Sequence, residues 1–230
     1  MNPLSQFLLD RMKRSLLASA GLILFAFGFY MQLAANIGLS PWTALNQGLS
    51  NHLPITFGQA SILVSVLIIV SDLLMREAIG IGTILDALLV GWASDLFIAL
   101  EPIPYQEDFL PGLLVLFVGT VILCVGQWIY MLAALSCGPR DAFLVALGKR
   151  LPRLSIGTVN ILLCLAVSII AFFLGGQLGL GTILTLFGTG VLMDIVYKIV
   201  KFEPRNVEHE SLLGSLSALR QALKAGSPRA

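Results

Sequence analysis

The second half of this chain repeats the first, and a repeat of this length constrains the fold more than any other feature. The hexapeptide GIGTIL at residues 80–85 returns 99 residues later as GLGTIL at 179–184. Other residues keep the same offset: Gly58 pairs with Gly157, Gly91 with Gly190, and Asp95 with Asp194. Upstream the offset is 98, because one residue is inserted after Pro152. A period this long excludes a solenoid of short repeats and indicates one supersecondary unit used twice.

The repeated unit is apolar enough to lie in a membrane. Hydrophobic residues make up 57% of the chain and charged residues only 12%, whereas a soluble domain carries about 25% charged residues. Six apolar runs approach the roughly 20 residues that a helix needs to cross a bilayer. They cover residues 16–36, 57–75, 82–100, 112–135, 157–174 and 181–199. We therefore expect an all-α polytopic membrane protein with six transmembrane helices.

The spans divide the chain into five segments. Two membrane repeats cover residues 16–100 and 112–200, and an outer linker, residues 101–111, joins them. A segment over residues 1–15 and a tail over residues 201–230 are expected to be cytoplasmic. In the tail, a leucine stripe predicts either an amphipathic helix on the membrane surface or a loosely ordered tail. The stripe consists of Leu212, Leu216, Leu219 and Leu223.

Three spans in each repeat is an odd number, so the two repeats should be inverted relative to each other. With a cytoplasmic N-terminus, all 14 Lys and Arg residues fall in inner segments or at inner span ends, as the positive-inside rule requires. In the rival arrangement the polar segments 38–55 and 138–155 also cross, which gives eight spans and parallel repeats. We favour six spans, because carrying Asn46, Asn51 and His52 across lipid is costly.

Each polar segment opens on a proline-containing motif that predicts a short helix entered through a break. The motifs are Ser40-Pro41-Trp42-Thr43 and Gly138-Pro139-Arg140-Asp141. Proline suits the first turn of a helix, where its missing N–H is not needed. Such a helix either points its N-terminus at a central cavity or lies at the membrane interface. Arg140 and Asp141 are then either a local ion pair or part of a cytoplasmic gate.

Two stripes of small residues, spaced seven apart, occupy one side of the first and fourth spans. They are Gly21, Gly28 and Ala35 in the first span, and Gly119, Gly126 and Ala133 in the fourth. Small residues let helix backbones approach closely in lipid. We predict that these stripes form a tight helix–helix contact, either within one chain or between the two chains of a homodimer.

Acidic and amide side chains within the spans are the candidates for a substrate or ion pathway. They are Asp86, Asp95, Asp194, Gln32, Asn36, Gln59 and Asn160. Asp86 departs from the repeat, since its counterpart is Thr185, and nine helical steps place it opposite Asp95. Asp72 lies four residues before Arg76 and predicts an ion pair.

The chain lacks the residue patterns of several other functions. It has no paired nucleophile and base, no histidine cluster and no metal-ligand spacing, and its three cysteines form no framework. No nucleic-acid-binding module is present. We therefore expect a protein that is not an enzyme, needs no cofactor or metal, and has the lipid bilayer and a small molecule as its partners.

Several motifs together resemble a known family. The first half carries NIGLSPW at 36–42, GLS at 48–50 and GIGT at 80–83, and the second half carries CGPRD at 137–141, LSIGT at 154–158 and GLGT at 179–182. Over residues 15–200 these motifs are similar to the YczE/YyaS/YitT group of bacterial multi-pass membrane proteins, in particular its YczE branch. The resemblance implies a bacterial inner-membrane protein and supports transport, but it names no substrate.

Two hypotheses for the function follow. The first is a small secondary transporter whose substrate site lies at the midplane between inverted repeats, with Asp86 as the proton or cation site. The alternative is a membrane scaffold or regulator that does not transport and that acts through its cytoplasmic tail.

Overall fold

The computed structural model describes residues 3–202, together with Gly214 and Ser217, and residues 3–202 form eight α-helices and no strand. The helices are α1 (Pro3–Ala35), α2 (Pro41–His52), α3 (Phe57–Leu74), α4 (Ile81–Leu100), α5 (Phe109–Leu132), α6 (Pro139–Arg150), α7 (Ile156–Phe173) and α8 (Leu180–Ile199). The all-α fold class is thus confirmed. The leucine stripe of the tail lies outside the described residues.

Five of the described helices are long and apolar enough to cross a membrane: α1, α3, α4, α5 and α8. The sixth expected span corresponds to α7, whose apolar stretch Gly157–Phe173 is shorter. Large apolar side chains cover the outside of the molecule, as a lipid-facing surface requires. Leu110, Phe173 and Ile199 are each about three-quarters exposed.

The first helix is longer than the sequence predicts. α1 begins at Pro3 and continues without a break into the apolar run that starts near residue 16. Arg11, Lys13 and Arg14 end the hydrophobic pattern but not the helix, because Lys and Arg are good helix formers. Residues 3–15 are therefore helical and continuous with the first span.

Each half of the chain contributes one long helix, one short helix and two further long helices, in that order. The short helices α2 and α6 begin at Pro41 and Pro139, the positions at which the sequence predicts them. Both follow a break with left-handed backbone, at Asn36 and Gly38 in the first half and at Ala134 in the second. The short helices are therefore separated from the helices that precede them by an interruption of the helical backbone.

The two small-residue stripes lie against each other, on the contact between α1 and α5. A Cβ atom on Gly21 or Gly28 would come within 2.8 Å of a carbonyl oxygen on α5, so only glycine permits this approach. The facing pairs are Gly21 with Gly126, Gly28 with Gly119, and the Ala35 carbonyl with Gly112. Positions rise along α1 while they fall along α5, so these two equivalent helices are antiparallel.

The two halves are also tied together at their breaks. Thr83, in the first turn of α4, donates its N–H to Ser136 Oγ at 2.7 Å and its hydroxyl to the Cys137 carbonyl at 2.9 Å. Reciprocally, Gly181 in the first turn of α8 donates to the Ile37 carbonyl at 2.9 Å. The Gly-x-Gly-Thr motif of each half thus holds the break of the other half.

The short helices also cross between the halves, since α2 packs on α7 and α6 packs on α3. One core lies between α1, α4 and α5, where Leu22, Val90 and Leu123 are buried. A second core lies between α2, α3 and α7, where Ala44, Val64 and Val167 are buried. Both cores adjoin the breaks, so the centre of the molecule is formed by residues from both halves.

The predicted ion pair between Asp72 and Arg76 is absent. α3 ends at Leu74, and Arg76 has left-handed backbone that turns its side chain away from the helix. Asp72 is fully buried, and neither of its carboxylate oxygens has a hydrogen-bond partner in the described part of the chain.

Candidate central site

A small polar cavity lies where α1, α3, α4, α5 and the start of α6 meet. Its volume is about 70 Å³, enough for a few water molecules or a small ion, whereas drug-sized ligands occupy pockets of about 300–1,000 Å³. Seven of its lining residues carry polar side chains: Ser61, Ser65, Asp86, Gln127, Tyr130, Arg140 and Asp141. The cavity therefore differs sharply from the apolar helix faces around it.

The break before α6 delivers two charged residues to this cavity. Pro139 opens the helix, so that Arg140 and Asp141 occupy its first turn. The N–H of Gly138 donates a hydrogen bond to the Tyr130 hydroxyl, which fixes the entry to the helix. A Cβ atom on Gly138 would collide with the Asp86 carboxylate. Glycine at this position therefore allows α6 to begin directly beside Asp86.

Asp86 reaches the cavity because α4 is anchored to the second break. The hydrogen bonds of Thr83 to Ser136 and Cys137 hold the start of α4 there. Asp86 follows one helical turn later and so faces the start of α6. Its equivalent in the second half, Thr185, is buried and donates its hydroxyl to the backbone of its own helix at 2.9 Å. At this position, therefore, only the first half of the chain carries a carboxylate.

The Arg140 guanidinium lies between two aromatic rings. Its central carbon is 5.4 Å from the centroid of Phe29 and 5.3 Å from that of Trp42. Both distances lie within the range of a cation–π interaction, which is worth up to about 2 kcal/mol when the groups are desolvated. Trp42 is the repeat equivalent of Arg140, so the starts of the two short helices meet at this contact.

Arg140, Asp86 and Asp141 do not neutralise one another by direct contact. Within the described part of the chain, none of these three side chains forms a hydrogen bond or an ion pair. The expected local ion pair between Arg140 and Asp141 is therefore not formed. Two carboxylates and one guanidinium leave a net negative charge when all are ionised. The cavity can thus accept a proton or a small cation, while the N–H groups of Arg140 can receive an anionic group.

A larger groove lies on the surface between α5 and α8. It has a volume of about 490 Å³ and is lined by apolar side chains, such as Leu116 and Phe187, and by two threonines. No charged residue borders it. This groove suits an acyl chain or an apolar helix and lacks the polar groups that would orient a soluble substrate.

Of the seven pathway candidates, only Asp86 lines the cavity. Gln32 is buried on α1 and accepts a hydrogen bond from the Thr43 hydroxyl at 3.5 Å. The Thr43 hydroxyl also contacts the Ser40 hydroxyl at 2.6 Å. Asn160 accepts a weak hydrogen bond from Cys164 Sγ at 3.6 Å on α7.

The other four candidates have structural positions away from the cavity. Asn36 bridges the first break to Gln106 and Gln177. Gln59 forms a capping box with Thr56 at the start of α3. Asp95 accepts hydrogen bonds from that same helix start, and Asp194 is exposed on α8.

Sequence reasoning did not identify Tyr130, Ser61 and Ser65 as members of the site. Ser61 and Ser65 are four residues apart on a mostly apolar helix, which is a weak signal for a polar stripe on one face. Tyr130 lies eight residues before Gly138, and no spacing rule links it to the start of α6. The contact of Arg140 with Phe29 and Trp42 depends on how the two halves cross.

Comparisons with known proteins support a membrane protein and identify its family. The model of a protein family described as a family of unknown function (DUF6198) matches residues 12–198. The uncharacterized membrane protein YczE of Bacillus subtilis is 31% identical over 176 residues, which cover 76% of this chain and 80% of YczE. The uncharacterized protein YyaS of the same organism is 26% identical over 184 residues, 79% of this chain and 90% of YyaS. An uncharacterized protein of Haemophilus influenzae is 27% identical over 166 residues, 72% of this chain and 75% of that protein. No solved structure matches.

Proposed function

Because this chain belongs to the DUF6198 family, with YczE and YyaS among its relatives, and is a membrane protein, we propose that it is a small secondary transporter of the bacterial inner membrane. Six helices cross the bilayer as two inverted three-span repeats, and the substrate passes through the cavity between them. The chain carries out no chemical conversion and needs no cofactor.

Charge and packing support the inverted arrangement. The 14 basic residues fall on one side of the six-span topology, which supports a cytoplasmic position for both termini. The equivalent helices α1 and α5 are antiparallel, as inversion requires. The short helices α2 and α6 remain within the fold and do not cross.

The observation that carries the transport proposal is the set of three charged groups that line the central cavity without a direct ion pair among them. An ionisable side chain within a membrane costs at least about 2.5–3.5 kcal/mol, and neither carboxylate offsets this cost with a hydrogen bond or ion pair in the described part of the chain. Arg140, Asp86 and Asp141 lie where two broken helices meet, which is the arrangement in which secondary transporters bind substrates.

Asp86 is the coupling residue in this proposal. It is the acidic group that the second half does not repeat, and its carboxylate lies beside the start of α6. Binding and release of a proton or small cation at Asp86 changes the charge of the cavity by one unit. The electrostatic field at Arg140 changes with it, so occupancy at Asp86 controls how strongly an anionic group binds there.

A reconstitution experiment tests this role. A melting-shift screen of metabolites and drugs on the purified protein selects candidate ligands, and proteoliposomes then measure their uptake under an imposed pH or sodium gradient. We expect Asp86→Asn to reduce gradient-driven uptake at least tenfold, because the amide neither binds nor releases the coupling ion. Glu107→Gln in the exposed outer linker is the matched control and should leave uptake unchanged. Gradient-driven uptake that persists in Asp86→Asn would refute the coupling role.

A further inference from the structure

The start of α3 is fastened to α4 by a compact contact, which we call the first latch and define as Thr56, Gly58, Gly91 and Asp95. The Asp95 carboxylate accepts the Gly58 N–H at 2.6 Å and the hydroxyl hydrogen of Thr56. Gly58 and Gly91 are both buried, and a Cβ atom on either would collide with the other helix. The carboxylate therefore satisfies a free N–H at the positive end of α3 while two glycines bring the helices together.

The second half of the chain has the same chemistry at every equivalent position. Ser155, Gly157, Gly190 and Asp194 follow the first-latch residues at an offset of 99. Ser155 caps α7 as Thr56 caps α3, each accepting the N–H three residues later, at 3.2 and 3.1 Å. The sequence thus specifies two latches.

The second set of residues is apart in this structure. Gly157 and Gly190 are exposed, where their equivalents are buried. A Cβ atom on Gly190 would meet nothing within 4 Å, and one on Gly157 would meet only Ser155 Oγ at 3.9 Å. Asp194 is exposed and has no hydrogen-bond partner in the described part of the chain. α3 packs closely on α4, whereas α7 and α8 have no comparable contact.

The open space at Gly157 and Gly190 leaves room for closure. The start of α8 is held at the first break by the hydrogen bond from Gly181 to Ile37. Further along α8, the positions of Gly188 and Gly190 face open space, while Thr189 and Tyr197 contact Cys124 and Met131 of α5. Closure moves Gly190 and Asp194 towards α7 and exchanges these contacts with α5, while the start of α8 stays anchored.

From this asymmetry we propose that Ser155, Gly157, Gly190 and Asp194 form a second latch, open in this structure, and that the two latches close in alternation. In the closed second latch, Asp194 accepts the Gly157 N–H and the Ser155 hydroxyl, and Gly157 packs on Gly190. The proposal rests on the transport function, since inverted repeats place the two latches at opposite faces of the membrane. Exchanging the conformations of the halves then opens the central cavity to the other side.

Cysteine cross-linking tests the second latch without any substrate. The background is a cysteine-free variant in which Cys124, Cys137 and Cys164 are replaced by alanine. Thr56→Cys with Asp95→Cys then forms the pair at the first latch, and Ser155→Cys with Asp194→Cys forms the matched pair at the second. A short bifunctional thiol reagent should bridge both pairs within single chains. In a variant that carries all four cysteines, molecules already bridged at the first latch should form the second bridge about fivefold less often, which corresponds to a coupling of about 1 kcal/mol.

Two glycine variants keep the test valid if the cysteine substitutions disturb folding. Gly190→Leu has open space in this structure and should fold, but it should prevent the second bridge because the leucine occupies the contact with Gly157. Gly188→Leu, two residues away on the same helix and equally free of neighbours, should leave the second bridge intact.

Three results would overturn the proposal: no bridge at the second latch, a bridge that forms only between two chains, or bridging at the second latch that is indifferent to the first. A bridge only between chains would make this surface a contact between copies of the protein. Because bridging is measured without flux, the latches can fail while gradient-driven uptake persists. Equally, uptake can be absent while the latches alternate, so the two proposals fail separately.

Discussion

At the scale of single residues, the proposed function depends on positions where the two halves differ. Trp42 and Arg140 occupy equivalent positions, yet one supplies an aromatic face and the other a cation, and they stack on each other at 5.3 Å. Asp86 and Thr185 form a second such difference, which the sequence alone reveals. The stacking could not be predicted, because it depends on how the short helices approach each other in space.

The stacking of Arg140 predicts an energetic coupling with Trp42. In a double-mutant cycle, Arg140→Met and Trp42→Leu should each destabilise the protein, and the double variant should be less destabilised than their sum by about 0.5–2 kcal/mol. Free energies of unfolding in mixed detergent and dodecyl sulfate micelles give the measurement.

The matched control for this cycle is Trp92→Leu, since Trp92 is 60% exposed on the outer surface of α4. Its effect should add to that of Arg140→Met. Additive effects of Trp42→Leu and Arg140→Met would contradict the cation–π contact.

At the scale of helices, the sequence predicts most of what the structure contains. The prolines at positions 41 and 139 mark the starts of the short helices, because local backbone chemistry determines where a helix begins. The limits of α1 could not be predicted in the same way, since the hydropathy pattern ends where the charges begin but the helix does not. The prediction of an ion pair between Asp72 and Arg76 was wrong, because α3 ends at Leu74, between these two residues.

The contact between α1 and α5 predicts a position-specific cost for adding a single methyl group. Gly28→Ala should lower the free energy of unfolding by about 1–3 kcal/mol, because its Cβ would come within 2.8 Å of the Gly119 carbonyl, a backbone atom that cannot easily move. Thermal unfolding in detergent, followed by loss of helical circular dichroism, gives the comparison.

Gly188→Ala on α8 is the control for this variant. A methyl group there meets nothing within 4 Å, so stability should stay the same or rise slightly with the better helix former. Equal losses in the two variants would show that the α1–α5 contact is not the cause.

At the scale of the whole molecule, the duplication supplies the framework, and the proposed mechanism depends on its asymmetry. Each Gly-x-Gly-Thr motif holds the break of the opposite half, and each short helix packs on the opposite half. The sequence predicts the repeat and the uneven distribution of Lys and Arg between the connecting segments. It could not predict that Asp95 contacts the start of α3 while Asp194 is exposed, because the two halves carry equivalent residues at these positions.

The central claim is that the cavity between the halves communicates with both sides of the membrane, and the accessibility of Ser65 tests it most directly. Ser65→Cys in the cysteine-free variant introduces a thiol at a buried wall of the cavity, close in size to the serine it replaces. A small membrane-impermeant thiol reagent is then applied to right-side-out and to inside-out vesicles. Glu107→Cys and Arg153→Cys are the controls, and each should be labelled from one face only, the outer and the inner face respectively.

We predict that the thiol at position 65 is labelled from both faces, because alternating access exposes the cavity to each side in turn. Labelling from one face only, or from neither, would contradict a transport pathway through this cavity and would favour a protein that serves as a membrane scaffold.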